Sequence, residues 1–97
     1  MMPDGGVGDA TRSVVVVNAK GLHARASARF VALAETFGAE VTVDYGQESV
    51  PGQSIMGLMM LGAGKGAEIQ LRATGPDASA ALDALVALIA SGFGEDD

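Results

Sequence analysis

The chain has no cysteine and no tryptophan, and its 97 residues include one tyrosine, three phenylalanines and a single histidine. The missing cysteine removes disulfides, thiol nucleophiles and cysteine-based zinc sites together. A small domain without such staples reads as cytoplasmic. With aromatics at 4%, the core must be filled by Ala, Val, Leu, Ile and Met. Positive charge is also scarce: six Lys and Arg against twelve Asp and Glu leave a formal net charge of −6. Such a surface is repelled by phosphate backbones and anionic bilayers, so neither nucleic acid nor a membrane is an expected partner. The longest apolar-rich run, residues 78–90, is broken by Ser79 and Asp83 and is too short to span a bilayer. No basic segment followed by an apolar one opens the chain, so no signal peptide is expected. One histidine without cysteine would leave carboxylates to complete any metal shell. No metal and no cofactor are expected.

What is present suits one small domain, with 48% hydrophobic residues. Residues 1–11 read as a flexible N-terminal extension, 12–93 as the folded domain and 94–97 as an acidic tail. Four consecutive valines, Val14 to Val17, favour a strand over 12–18. Ala26, Phe30, Leu33, Ala34 and Phe37 recur at helical spacing and predict a helix over 24–37, closed by Gly38. Alternation over 39–45 predicts a half-buried strand, and a return strand over 47–50 follows the Gly46 turn. A short helix over 54–61, an alternating strand over 67–73 and a last helix after Asp77, its expected N-cap, complete the chain. The order is βαββαβα. The expected fold is α+β, an open-faced sandwich with a four-stranded, mainly antiparallel sheet and three helices on one face.

The stretch Gly21-Leu22-His23-Ala24-Arg25 places the only histidine at the start of the first helix. Neutral imidazole has a free lone pair and is a usable nucleophile toward phosphorus. The first amides of a helix are unpaired and its dipole favours an anion there. Arg25 adds a planar fork that suits phosphate oxygens, and Arg29 lies one turn on. Judged by position alone, a histidine at a helix start is more often a polar cap or surface residue.

A second feature is the short helix, which carries Ile55, Met56, Leu58, Met59, Met60 and Leu61. Two turns packed on a sheet bury about half their circumference. Some of Ile55, Met56, Met59 and Met60 must then face water, as docking surfaces do; a fully buried helix is the alternative. Ser54 is its expected N-cap and a candidate phosphorylation site. The glycine-rich run 62–66 fails as a phosphate loop, because Ala63 stands where lysine is required, and it reads as a turn.

Taken together, Gly21 to Arg25 and Ser54-Ile55-Met56-Gly57-Leu58-Met59 resemble the two signature segments of the HPr family, the histidine-containing phosphocarriers of the phosphoenolpyruvate-dependent phosphotransferase system. The spacing between them and the element order match as well. The resemblance covers roughly residues 12–93. It implies that His23 accepts a phosphoryl group on Nδ1 from enzyme I and passes it to a IIA protein. Arg25 is then the phosphate partner, Ile55, Met56, Leu58 and Met59 serve docking, and Ser54 is the serine modified by HPr kinase/phosphorylase; Arg29, from its place one turn past Arg25, is expected to join the docking surface. It implies a monomeric carrier and not a stand-alone enzyme. Ala26 departs from the family's usual proline and Ala24 from a hydroxyl residue; Ala26 together with the Gly57-Leu58-Met59-Met60 run looks more like the version in some proteobacteria. Two other functions stay open: a regulatory binding module controlled through Ser54 in a nitrogen-type or other non-sugar branch, and a small-ligand binding domain.

Overall fold

The computed structural model describes residues 8–95. Four strands and three helices follow in the order β1 (Gly8–Val15), α1 (Ala24–Ala34), β2 (Glu40–Tyr45), β3 (Glu48–Pro51), α2 (Ile55–Met60), β4 (Glu68–Gly75) and α3 (Ala78–Ala90), with a single 3-10 turn at Gly92–Gly94. The strands form one sheet in the order β1-β4-β2-β3, and every neighbouring pair is antiparallel. This is the expected α+β open-faced sandwich.

Alternation decides which face is covered. Val14, Val41, Val43, Ile69, Leu71 and Ala73 are buried, and between them lie Glu68, Gln70 and Arg72, which face water. The valine run obeys the same rule: Val14 and Val16 are buried, Val15 and Val17 exposed. Over the covered face α3 lies against β1 and β4, and α1 contacts both α2 and α3. Phe30, Leu82, Leu85, Ile89 and Phe93 fill the space between sheet and helices. Burying a side chain of that size stabilises by about 1.5–3 kcal/mol, so this cluster supplies the main driving force.

Several expected boundaries move, each for a local reason. The first strand starts at Gly8, not at 12, because Gly8 to Thr11 pair with Gly75 to Arg72. Part of the expected extension is therefore sheet, and residues 1–7 lie outside the described residues. At the other end of this strand Val16 stays bonded to the β4 side, through Ala67 O at 2.9 Å and Gly66 N at 2.8 Å. Helix α1 stops at Ala34, three residues short of Phe37; Thr36 N and Phe37 N bond the carbonyls of Leu33 and Ala34 in tighter i→i+3 closures. Asp77 stands at the N-cap position of α3 but makes no side-chain cap bond. Its Oδ2 accepts from Gly38 N at 2.7 Å and ties the start of α3 to the α1–β2 turn. The expected acidic tail is divided too: Gly94 and Glu95 fold back onto the domain, while Asp96 and Asp97 lie outside the described residues.

Candidate functional site

The loop from Asn18 to Leu22 delivers His23 to the first turn of α1. Gly21 is required there. Its φ is +61°, and a Cβ on it would lie 2.4 Å from the Ala63 carbonyl oxygen. Leu22 N donates to that same oxygen at 3.0 Å, and the buried Ser27 hydroxyl holds the Leu22 carbonyl at 3.0 Å. The backbone on either side of the imidazole is thus pinned to the 62–64 loop and to α1.

His23 is itself the N-cap of α1. Its backbone is extended, and Nδ1 accepts from Arg25 N at 3.3 Å. No acidic residue lies in the first turn. The Nδ1 lone pair therefore points at the free amides and the positive end of the helix dipole. Arg25 is exposed in the same turn, and its guanidinium makes no ion pair among the described residues. A ring nitrogen and the amides of the first helical turn thus face one another, with an exposed arginine in the same turn.

The other side of the ring is occupied. Glu95 Oε2 lies 2.5 Å from His23 Nε2, with the two side chains 11% and 24% exposed. Glu95 Oε1 accepts from Asn18 Nδ2 at 3.1 Å, and the same amide donates to Gly21 O at 2.9 Å. Asn18 is buried. Phe93 brings the C-terminal segment to this point. It is buried, holds φ at +60°, and its carbonyl accepts from Arg29 Nη1. A left-handed non-glycine residue costs roughly 1–3 kcal/mol, which burial of the ring offsets.

Next to His23 a hollow of about 240 Å³, lined by Lys20, Met59 and the 62–64 loop among others, leads onto α2. Ser54 caps this helix as expected, accepting from Gly57 N at 2.9 Å. Met56 is 69% and Met60 76% exposed, and Ile55 and Met59 are about two-fifths exposed. Leu58 is fully buried.

A family model described as the PTS HPr component phosphorylation site matches residues 10–91. The chain belongs to the HPr family. An HPr phosphocarrier from Cupriavidus necator is 48% identical over 84 residues, covering 87% of this chain and 94% of its own. An NPr phosphocarrier from Shewanella violacea is 44% identical over 84 residues, covering 87% and 92%. The crystal structure of HPr-C-His from Thermoanaerobacter tengcongensis superposes with a TM-score of 0.86 at 40% identity, covering 91% of this chain and 99% of its own.

Within this HPr fold the structure sorts the expected site residues. His23 and Arg25 meet at the start of α1, and Ser54 starts α2 with Ile55, Met56 and Met59 exposed behind it. Leu58 is a correction: it points into the core and offers nothing for docking. Arg29 is exposed one turn after Arg25, and one of its guanidinium nitrogens holds the Phe93 carbonyl. Met60 is more exposed than Ile55, Met56 or Met59. Asn18 and Glu95 were not legible as site residues. They lie 77 positions apart, and only the fold brings them together.

Proposed function

We propose that this HPr-family chain accepts a phosphoryl group from phosphorylated enzyme I on His23 Nδ1 and hands it to a IIA-type acceptor protein. The observation that carries this reading is the His23 ring at the α1 N-terminus, with Nδ1 accepting from the first turn's Arg25 amide and the Arg25 side chain exposed in that same turn. In the accepting step the Nδ1 lone pair forms the N–P bond, and the donor keeps the electron pair of the bond that breaks. The helix amides and Arg25 stabilise charge on the transferring oxygens. In the second step the pair returns to Nδ1 and the ring is released unchanged. Ile55, Met56, Met59 and Met60 form the apolar docking surface beside the ring, adaptable enough to serve both the donor and the acceptor protein.

The test is incubation with phosphoenolpyruvate and enzyme I. An acid-labile phosphate is expected on the wild-type chain and none on His23→Ala; equal labelling of the variant would refute the reading. Ser54 supports a regulatory role alongside the first. Its hydroxyl caps α2 directly behind the apolar surface, so phosphorylation by an HPr kinase/phosphorylase would set about two negative charges beside the docking face. Weakened enzyme I binding by the phosphoserine form, partly restored by salt, is the expected result. Loss that salt does not touch would mean a steric cause.

A further inference from the structure

We infer that Glu95 is a positioning residue that keeps a proton on His23 Nε2 through both phosphoryl-transfer steps, with Asn18 holding the carboxylate in place. The inference rests on the reading that His23 is the phosphoryl acceptor.

Two independent contacts assign the same tautomer. Arg25 N donates to Nδ1, which must then carry a lone pair. Glu95 Oε2 lies 2.5 Å from Nε2 and, as a carboxylate, can only accept, so Nε2 carries the hydrogen. The carboxylate has little freedom to do otherwise. Its second oxygen accepts from Asn18 Nδ2, and Asn18 is buried with the same amide anchored on Gly21 O. From the other direction, Arg29 fixes the Phe93 carbonyl two residues before Glu95.

The chemistry follows from charge balance. When Nδ1 bonds phosphorus and Nε2 keeps its hydrogen, the ring becomes cationic, and the Glu95 carboxylate is in place to stabilise that charge. When the N–P bond breaks toward the acceptor, the electron pair returns to Nδ1 and neutral imidazole leaves. No proton has to enter or depart in either step. Without the carboxylate the phosphorylated ring could lose the Nε2 proton, and an anionic imidazole would then have to leave, which is a far poorer leaving group.

Replacing the carboxylate by an amide gives an unusual prediction. In Glu95→Gln the new side chain has one oxygen and one NH₂. Asn18 is buried and its Nδ2 demands the oxygen, so the NH₂ meets Nε2. Nε2 must then accept, and the proton moves to Nδ1, where it blocks the nucleophile. The isosteric variant is therefore expected to transfer phosphate more slowly than the truncated one. Glu95→Ala should slow phosphorylation by enzyme I about tenfold, and Glu95→Gln by roughly threefold more.

The experiment compares the imidazole ¹⁵N spectra of the unphosphorylated wild-type chain and both variants in mildly alkaline buffer, together with single-turnover labelling by phosphoenolpyruvate and enzyme I. Circular dichroism melts report that the variants are folded. The expected result is a wild-type spectrum dominated by the Nε2–H form, a shift toward Nδ1–H in Glu95→Gln, and the rate order wild type, Glu95→Ala, Glu95→Gln. Superimposable ¹⁵N spectra, or Glu95→Gln at the wild-type rate, would overturn the inference. The spectra test Glu95 without any transfer, so a wild-type chain that showed the expected tautomer yet took no label would count against His23 as acceptor and leave the Glu95 contact standing.

Discussion

Helix α1 is capped by the His23 ring and α2 by the Ser54 hydroxyl, and each cap accepts one backbone amide. The bonds differ. Ser54 takes Gly57 N at 2.9 Å, whereas the His23 bond to Arg25 N is 3.3 Å long. So do the helices behind them. Helix α1 buries five residues, including Phe30, and α2 buries Leu58 alone. The start of α1 is flanked by an arginine and a carboxylate, while Ile55, Met56 and Gly57 make the first turn of α2. The same backbone feature therefore serves two ends. A cap alone is a structural device. On the proposed function, the ring paired with a carboxylate and followed by an arginine serves the chemistry, and the apolar helix held by one anchor serves the binding.

The largest effect that can break this comparison is on the anchor of α2. Leu58→Ala is expected to cost about 3 kcal/mol, while Met56→Ala should stay within about 0.5 kcal/mol. Denaturant melts check both, and similar losses would mean that the two faces of α2 are misassigned. Next comes the cation of α1. Arg25→Ala should slow phosphoryl transfer by roughly ten- to a hundredfold and leave the melting temperature nearly unchanged. Parallel losses of rate and stability would make Arg25 part of the scaffold. The Ser54 cap should behave in the opposite way. Ser54→Ala is expected to cost about 1 kcal/mol at an unchanged transfer rate, and a collapse of the rate would give Ser54 a part in the chemistry.

The smallest effect supplies a baseline away from both helices. On the wet face of the sheet the Arg72 hydrogen bonds, and then that of Ser49, hold the Asp44 carboxyl below the ordinary aspartate value against a smaller opposing effect of burial. A carboxyl lowered in the folded state adds stability above the unfolded pKa of about 3.9, and that stability is lost as the pH falls through the lower folded value. Arg72→Ala should therefore be slightly less stable than wild type at pH 7, and the gap should close below about pH 4. Melts across that range test it; a gap that widens in acid has the wrong sign.

Local physics made His23, Arg25 and Ser54 legible, because a cap and its first turn lie within a few residues of one another. The sheet was legible for the same reason, through alternation at Val41, Val43, Ile69 and Leu71. Leu58 was not, since a two-turn helix of almost uniform apolarity does not reveal which side the core takes. Asp77 read as a cap because its own neighbourhood says so, but Gly38 from another turn claims its carboxylate. Glu95 read as tail for want of any local pattern, and only the turn at Phe93 carries it 72 positions back to His23.

The most direct test is to phosphorylate the ¹⁵N-labelled chain with phosphoenolpyruvate and enzyme I and to locate the phosphorus by its coupling to nitrogen. One phosphoryl group is expected, bonded to His23 Nδ1, with Nε2 still protonated. Phosphorus on Nε2, or a phosphate found on Ser54 with the His23 ring unmodified, would contradict it.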